Sequence, residues 1–178
     1  GYIGSHTSHQ LVEAGHSVTI VDNLCNGHRW AVPKDATFKE IDISNFDEMS
    51  MLLEHNQFDA VLHFAGHLVV PESVAHPMKY YKNNVYASFR LLEACHQNGI
   101  SSFIFSSTAA VYGNPETVPV PETLTPQPIN PYGRTKLMIE NILSDYHAAY
   151  GLEYVALRYF NATGAAEGGG IGEDHDPE

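Results

Sequence analysis

Along the chain, short apolar runs alternate with stretches whose apolar residues recur every three or four positions. HSVTIVD (16–22) is a β-branched run after a glycine turn signal, the pattern of a buried strand. TFKEIDI (37–43) alternates apolar with polar, and DAVLHFAG (59–66), SSFIFSST (101–108) and LEYVALRYF (152–160) are further strand-like runs. Helical spacing predicts helices over 4–14, 47–54, 77–98 and 131–150. Gly15 ends the first, and Asn45 suits the cap before the second. The third is closed by Gly99 and places Val85, Phe89, Leu92 and Cys95 on one face. The fourth opens on Asn130-Pro131 and ends at Gly151. The stretch 113–130 is too rich in proline for regular structure and predicts a loop. Strands alternating with helices predict βαβ units, hence an α/β fold with a doubly wound parallel sheet. No internal repeat is present, and the composition does not shift until about Gly164, where it turns to Ala, Gly and acid.

Charge narrows the ligands. The 178 residues carry 9 Lys+Arg against 21 Asp+Glu, a formal net charge of −12. An acidic chain without basic runs is a poor nucleic-acid binder and has no attraction to an anionic membrane. An anionic ligand must be held locally, by backbone N–H groups and a few placed cations. No apolar run approaches the roughly 20 residues of a membrane span. Cys25 and Cys95 form neither a disulfide framework nor a CxxC pair, which points to reduced thiols in the cytoplasm. The 11 histidines are scattered, and His175 among Glu173, Asp174 and Asp176 reads as a solvated loop, so no metal is expected. The chain starts without methionine or a preceding strand and stops in a glycine-rich stretch, as an internal piece of a longer protein would.

Gly1 and Gly4 have the spacing of the last two glycines of GxxGxxG. They open a helix, a strand follows, and that strand ends in Asp22, about 20 residues on. This is a dinucleotide fingerprint with its first strand and first glycine missing from the chain. Such glycines let the backbone approach a pyrophosphate, whose charge meets the helix N-terminus. Asp22 would accept from ribose hydroxyls and repel a 2′-phosphate, favouring NAD over NADP. An ordinary tight turn with a surface aspartate is the alternative.

Ligands of open parallel sheets sit at the carboxyl ends of the strands. Asp42-Ile43, Phe64-Ala65-Gly66 and Ser106-Ser107-Thr108 each close one. The first could flank an adenine, and the small residues of the second allow close approach of a cofactor. Tyr132 and Lys136 lie about one helical turn apart on the same face, at the positive end of the predicted helix 131–150. A phenol beside an ammonium there should ionise more easily, as a general base needs. The alternative is a core aromatic beside a solvated lysine.

Taken in order and spacing, GYIGSH, VDN, HFAG, YYKNNV, FIFSSTAAVYG, NPYGRTK and LRYFNATGA resemble the extended short-chain dehydrogenase/reductase family, over essentially the whole chain. The resemblance implies a Rossmann-type NAD-binding domain over 1–163, with 164–178 starting the connection to a substrate-binding lobe. It implies a Thr108–Tyr132–Lys136 triad. It also implies NAD contacts at Gly1 to Gly4 (Tyr2 and Ile3 among them), Asp22, Asn23, Leu24, Cys25, Asn26, Gly27, Asp42, Ile43, Phe64, Ala65, Gly66, Asn83, Tyr132, Lys136 and Phe160. Thr108, Tyr132 and Asn161 would meet the nucleotide sugar. The activity implied is NAD-dependent epimerisation of a UDP-hexose at C4 through a 4-keto intermediate, in a cytoplasmic homodimer.

Related dehydratases carry Asp-Glu after the threonine, where this chain has Ala109 and Ala110, which argues against water elimination. An epimerase or decarboxylase acting on another nucleotide sugar, or a non-catalytic NAD-binding protein, remains open at this point. Two positions depart from many family members: Leu68 stands in place of a lysine, and Pro71 in place of a glycine.

Overall fold

The computed structural model describes residues 1–174; the expected loop around His175 and Asp176 lies outside the described residues. The chain divides into two compact units, Gly1–Ile43 with the stretch from Asn161 onward, and Ser44–Phe160.

In the first unit, α1 (Tyr2–Glu13) is followed by β1 (Thr19–Asp22), a short 3₁₀ turn at Arg29–Ala31 and β2 (Thr37–Glu40). The strands pair in parallel, Thr19 opposite Thr37 and Asp22 opposite Glu40. The Arg29 guanidinium lies 4.3 Å over the Phe38 ring. The stretch from Asn161 is irregular. It is tied down where the Tyr2 hydroxyl donates to the Gly164 carbonyl at 2.7 Å and where His28 Nε2 stands 3.2 Å from Asp174 Oδ2.

The second unit contains α2 (Phe46–Glu54), β3 (Val61–His63), α3 (Val70–Ala75), α4 (Pro77–Tyr80), α5 (Ala87–Gln97), β4 (Ser102–Ser106), α6 (Pro131–Tyr150) and β5 (Glu153–Leu157). β4 lies between β3 and β5 in an all-parallel ladder. A central strand of a parallel sheet is covered on both faces, and Phe103 and Phe105 are accordingly buried, with Leu92 and Cys95 of α5 and Ile139 and Leu143 of α6. Parallel ladders with intervening helices make this the expected α/β, Rossmann-type fold.

Three expectations need correction. The strands are shorter than the apolar runs: Asp42-Ile43, Phe64–Gly66 and Ser107-Thr108 lie beyond the last paired residues. A helix at Val70–Ala75 was not foreseen; Pro71 sits in its first turn, where a fixed φ and a missing N–H are tolerated. The expected helix 77–98 is interrupted by a π-helical turn, Tyr81–Tyr86. Leu92 and Cys95 are buried as expected, but the buried row of α5 runs through Ser88, Leu91 and Cys95; Phe89, about 100° round the helix from Ser88, falls outside it and is exposed, while Asn84 in the π-helical turn is buried.

α6 is built as its ends predict. The Asn130 side chain accepts from the Gly133 N–H at 2.8 Å, Pro131 occupies the first turn, and Gly151 closes the helix in the left-handed region (φ 73°). The Tyr132 N–H is taken by Ser73 Oγ at 3.2 Å. α6 comes close to the turn after β4: a Cβ at Gly133 would sit 2.7 Å from the Ala110 carbonyl oxygen.

His63 is buried beside Phe103 and Phe105, with Nε2 2.7 Å from Ser88 Oγ. The Ser88 hydroxyl donates to the Asn84 carbonyl, so the ring donates to Ser88. Burial, with the Lys136 charge second, pushes the imidazole pKa down to about 3.

Two outcomes follow. In an exposed helix Gly→Ala stabilises by about 1 kcal/mol. Gly133→Ala is expected to destabilise instead, by about 1–3 kcal/mol, through overpacking against Ala110; urea unfolding measures it. For His63, the folded pKa of about 3 lies below the ordinary 6.5. The unfolded chain therefore takes up the extra proton as pH falls from about 6.5 towards 3, and stability drops by about 1.4 kcal/mol per pH unit in that window. His63→Gln should flatten that slope in unfolding curves recorded between pH 4 and 7.

Candidate active site

The Ser44–Phe160 unit brings Thr108, Tyr132 and Lys136 together. Lys136, 5% exposed, donates from Nζ to the Ser106 carbonyl at 2.9 Å. The ammonium lies 5.0 Å from the Phe105 ring centre and 5.9 Å from that of Tyr132. Burial lowers its pKa to about 8. Thr108 begins the turn Ala109–Tyr112, and its Oγ1 accepts from the Ala110 N–H at 3.1 Å. The hydroxyl proton is thus free to point towards the Tyr132 phenol, whose ionisation Thr108 favours.

The phenol does not ionise easily in this arrangement. Burial raises its pKa and outweighs the Thr108 hydrogen bond, which lowers it; the neighbouring Tyr159 raises it further. The expected lowering is overturned because desolvation dominates and the ammonium is turned to the Ser106 carbonyl.

The three hydroxyls leaving β4 point three ways. Ser106 Oγ pairs with the Tyr159 hydroxyl, Ser107 Oγ donates to Glu140, and only Thr108 meets Tyr132.

Gly66 (φ 154°) closes this corner. A Cβ there would lie 3.3 Å from Asn84 Oδ1 and 3.5 Å from Lys136 Nζ. Of its neighbours in the sequence-predicted site, Phe64 is half-buried and Ala65 exposed, while Asn83 donates from Nδ2 to Asn84 Oδ1 at 3.1 Å. Phe160, beyond β5, is 70% exposed, and Leu68 is half exposed.

Asn84 is the residue that sequence reasoning missed. It is 1% exposed inside the π-helical turn. Its Oδ1 accepts from the His67 N–H at 2.8 Å. Its Nδ2 donates to the His67 carbonyl at 2.9 Å and to Thr135 Oγ1 at 3.2 Å. Thr135 in turn donates to the Tyr132 carbonyl at 2.7 Å. The only signal was a pair of asparagines inside a helical pattern, where that residue is a poor helix former.

The Gly1–Ile43 unit holds the other predicted contacts. Gly1 caps α1, no side chain caps that helix, and its first turn, Tyr2 and Ile3 included, carries no acid. Asp22 ends β1, and its Oδ1 accepts from the Leu24 N–H at 2.7 Å, with Leu24 at φ 57°. Asn23 Oδ1 accepts from the Cys25 N–H at 3.1 Å, and its Nδ2 donates to Asp42 Oδ2 at 3.0 Å, beside Ile43. Gly27 follows Asn26, and a Cβ there would lie 2.6 Å from Asp22 Oδ2. Asn161, on the returning stretch, is exposed.

In the Gly1–Ile43 unit an uncapped helix N-terminus after a glycine suits phosphate and a carboxylate at the end of β1 suits ribose hydroxyls, as a dinucleotide needs. In the Ser44–Phe160 unit Gly66 leaves room beside a buried cation. Among the described residues no three His, Cys, Asp or Glu side chains group as a metal site, and no helix is long and apolar enough to cross a membrane.

Fold and site define a dinucleotide-binding α/β protein with a Thr–Tyr–Lys cluster at the carboxyl ends of its strands. Residues 1–175 match the model of the NAD dependent epimerase/dehydratase family, and the chain belongs to that family. It is 49% identical over its full length to UDP-glucose 4-epimerase of Lacticaseibacillus casei, of which it covers 54%, and 49% identical over 97% of its length to that of Azospirillum brasilense, of which it covers 50%. It superposes on UDP-glucose 4-epimerase from Brucella ovis, solved in complex with NAD, with a TM-score of 0.97, 48% identity, all of this chain and 55% of that one. The Bifidobacterium longum enzyme, solved with NAD+ and UDP, gives a TM-score of 0.94 at 38% identity, covering 98% and 55% of the two chains. The chain thus spans about half the length of the curated relatives it matches.

Asn84→Ala is expected to lower stability by about 2–4 kcal/mol. It removes the two bonds that Asn84 makes to the His67 main chain and the one to Thr135, and opens a cavity in a buried position. Urea unfolding of the variant, with an unchanged dependence on denaturant, checks it.

Proposed function

We propose that the whole protein carrying this chain is a UDP-glucose 4-epimerase, interconverting UDP-glucose and UDP-galactose with a tightly held NAD. One observation carries the reading. Thr108 bears on the Tyr132 phenol and the Lys136 ammonium lies 5.9 Å from its ring centre, while the two positions after Thr108 are Ala109 and Ala110, which can move no proton. The cluster can take a proton from one hydroxyl and return it, and it holds no acid–base pair for eliminating water. The relatives' names and the bound NAD and UDP of the solved neighbours support the same reading.

In this site Tyr132 takes the proton of the sugar 4-hydroxyl and later returns it. Thr108 donates to the same oxygen and holds it beside the phenol. Lys136 supplies the positive charge that favours the phenolate and, freed from Ser106, reaches a ribose hydroxyl. NAD, when bound, supplies the acceptor and donor of hydride at C4. The Gly1–Gly4 turn would hold its pyrophosphate, Asp22 the adenosine ribose, Asp42 and Ile43 the adenine. Phe64 to Gly66, Asn83 and Phe160 would line the rest of its path, and Asn161 would meet the nucleotide sugar. Residues 1–163 act as the NAD-binding domain. The two unpaired cysteines agree with a cytoplasmic location, and exposed Tyr86, Phe89 and Met138 offer apolar surface for a homodimer.

Tyr132→Phe in the whole protein is expected to cut conversion of UDP-galactose to UDP-glucose by about 10²–10⁴-fold while NAD is retained. Turnover within threefold of the unsubstituted protein would remove the base from its role.

A further inference from the structure

α6 carries a third residue in line with Tyr132 and Lys136. Glu140 is one further turn along, at the same four-residue spacing, and is buried at 7% exposure. All three grip the residues leaving β4: Tyr132 meets Thr108, Lys136 the Ser106 carbonyl, and Glu140 Oε1 the Ser107 hydroxyl.

Glu140 is itself clamped. Arg158, just past β5, donates from Nε to both carboxylate oxygens at 3.1 Å and from a terminal nitrogen to Oε2 at 2.6 Å. Its other terminal nitrogen donates to the Tyr112 hydroxyl at 2.9 Å, at the end of the turn that Thr108 begins. The main chain tightens around Ser106, where the Ser107 N–H donates to the Phe105 carbonyl at 3.0 Å. Beyond it the Ser107 side chain meets Glu140 and the next side chain, Thr108, bears on Tyr132.

We propose that Glu140, clamped by Arg158, is a positioning residue that holds Thr108 against the Tyr132 phenol by gripping Ser107. A planar guanidinium fork on a carboxylate fixes direction as well as distance. The serine hydroxyl links that rigid pair to the near end of the turn, beside Thr108, and the Arg158–Tyr112 bond links it to the far end. The pair touches neither the phenol nor Lys136. A buried pair of this kind is weak evidence for stability as such, and its placement over both ends of the Thr108–Tyr112 turn gives it a use.

The effect on turnover rests on the proposed epimerase reading, so the test uses two readouts. The titration of the Tyr132 phenol is followed by NMR of ¹³Cζ-labelled tyrosine in the NAD-loaded whole protein, alongside UDP-galactose turnover and thermal unfolding. The charged and titratable groups that bear on this phenol are Lys136 on α6, Tyr159 after β5 and Tyr80 on α4. None is altered by the substitutions.

Ser107→Ala leaves the Glu140–Arg158 pair intact. It should shift the phenol titration upward, because the Thr108 hydrogen bond that favours the phenolate is loosened. It should also lower kcat about tenfold, with KM for UDP-galactose within about twofold. Glu140→Gln weakens the pair with Arg158 but still ties the Ser107 hydroxyl through its amide. It should lower Tm more than Ser107→Ala and move the phenol titration less. An unmoved Tyr132 titration in Ser107→Ala overturns the proposal, as does a shift that tracks the loss of Tm in both variants. No turnover by the unsubstituted protein would remove the epimerase reading, and the titration would still decide the positioning role.

Discussion

The chemistry of the Ser44–Phe160 unit depends on how closely α6 approaches the turn after β4. That approach is set at Gly133, whose missing side chain lets the helix rest on the Ala110 carbonyl. The helix end is fixed from two sides, by Asn130 just before it in sequence and by Ser73 from α3. With the first turn pinned, Tyr132 falls beside Thr108 and Lys136 falls one turn further in, against the Ser106 carbonyl. One carbonyl and the face of Phe105 replace the water that an ammonium would have outside. They do not replace it fully, which is why the pKa of Lys136 falls to about 8. At neutral pH most of the population still carries the charge, so the site keeps a buried cation at hand.

What could be read from the sequence was local. The caps and the closing glycine of α6 act within a few residues of their own positions, so its bounds were readable to the residue. Asp22 was readable as the last residue of a strand, whereas the close packing of Gly27 against its carboxylate was not. The strands were drawn too long because apolar character continues past the last paired residue. Phe64 and Ala65 are apolar or small for reasons other than pairing, and an apolar run records burial, not hydrogen bonds. Phe89 was assigned to the wrong face because apolar character was read as burial, whereas the buried row of α5 passes through Ser88; and the π-helical turn before it is tied up with contacts at His67 and Thr135, 17 and 51 residues from Asn84 in sequence. The choice among Ser106, Ser107 and Thr108 is decided by a tight turn around Ser106 that three hydroxyl residues in a row do not announce.

The two helix N-termini show how one local rule serves opposite ends. α1 starts at a glycine with no side-chain cap and no acid in its first turn, so its N–H groups and its dipole remain available to an anion. α6 starts just as positively, but Asn130 and Ser73 satisfy its first N–H groups, and a neutral phenol occupies the turn. The dipole and Thr108 both favour phenolate at Tyr132, yet burial outweighs them. The same burial pushes Lys136 towards its neutral form. Desolvation thus drives both partners away from charge. Each could recover its ionised form by approaching the other, since at short range in a dry site their attraction exceeds what either gains from a neutral hydrogen bond. With the ammonium turned to Ser106 the pair stays apart, and no unpaired buried anion has to be tolerated. The resting arrangement is therefore a neutral phenol beside a lysine that is mostly still charged and is engaged with the Ser106 carbonyl rather than with the phenol.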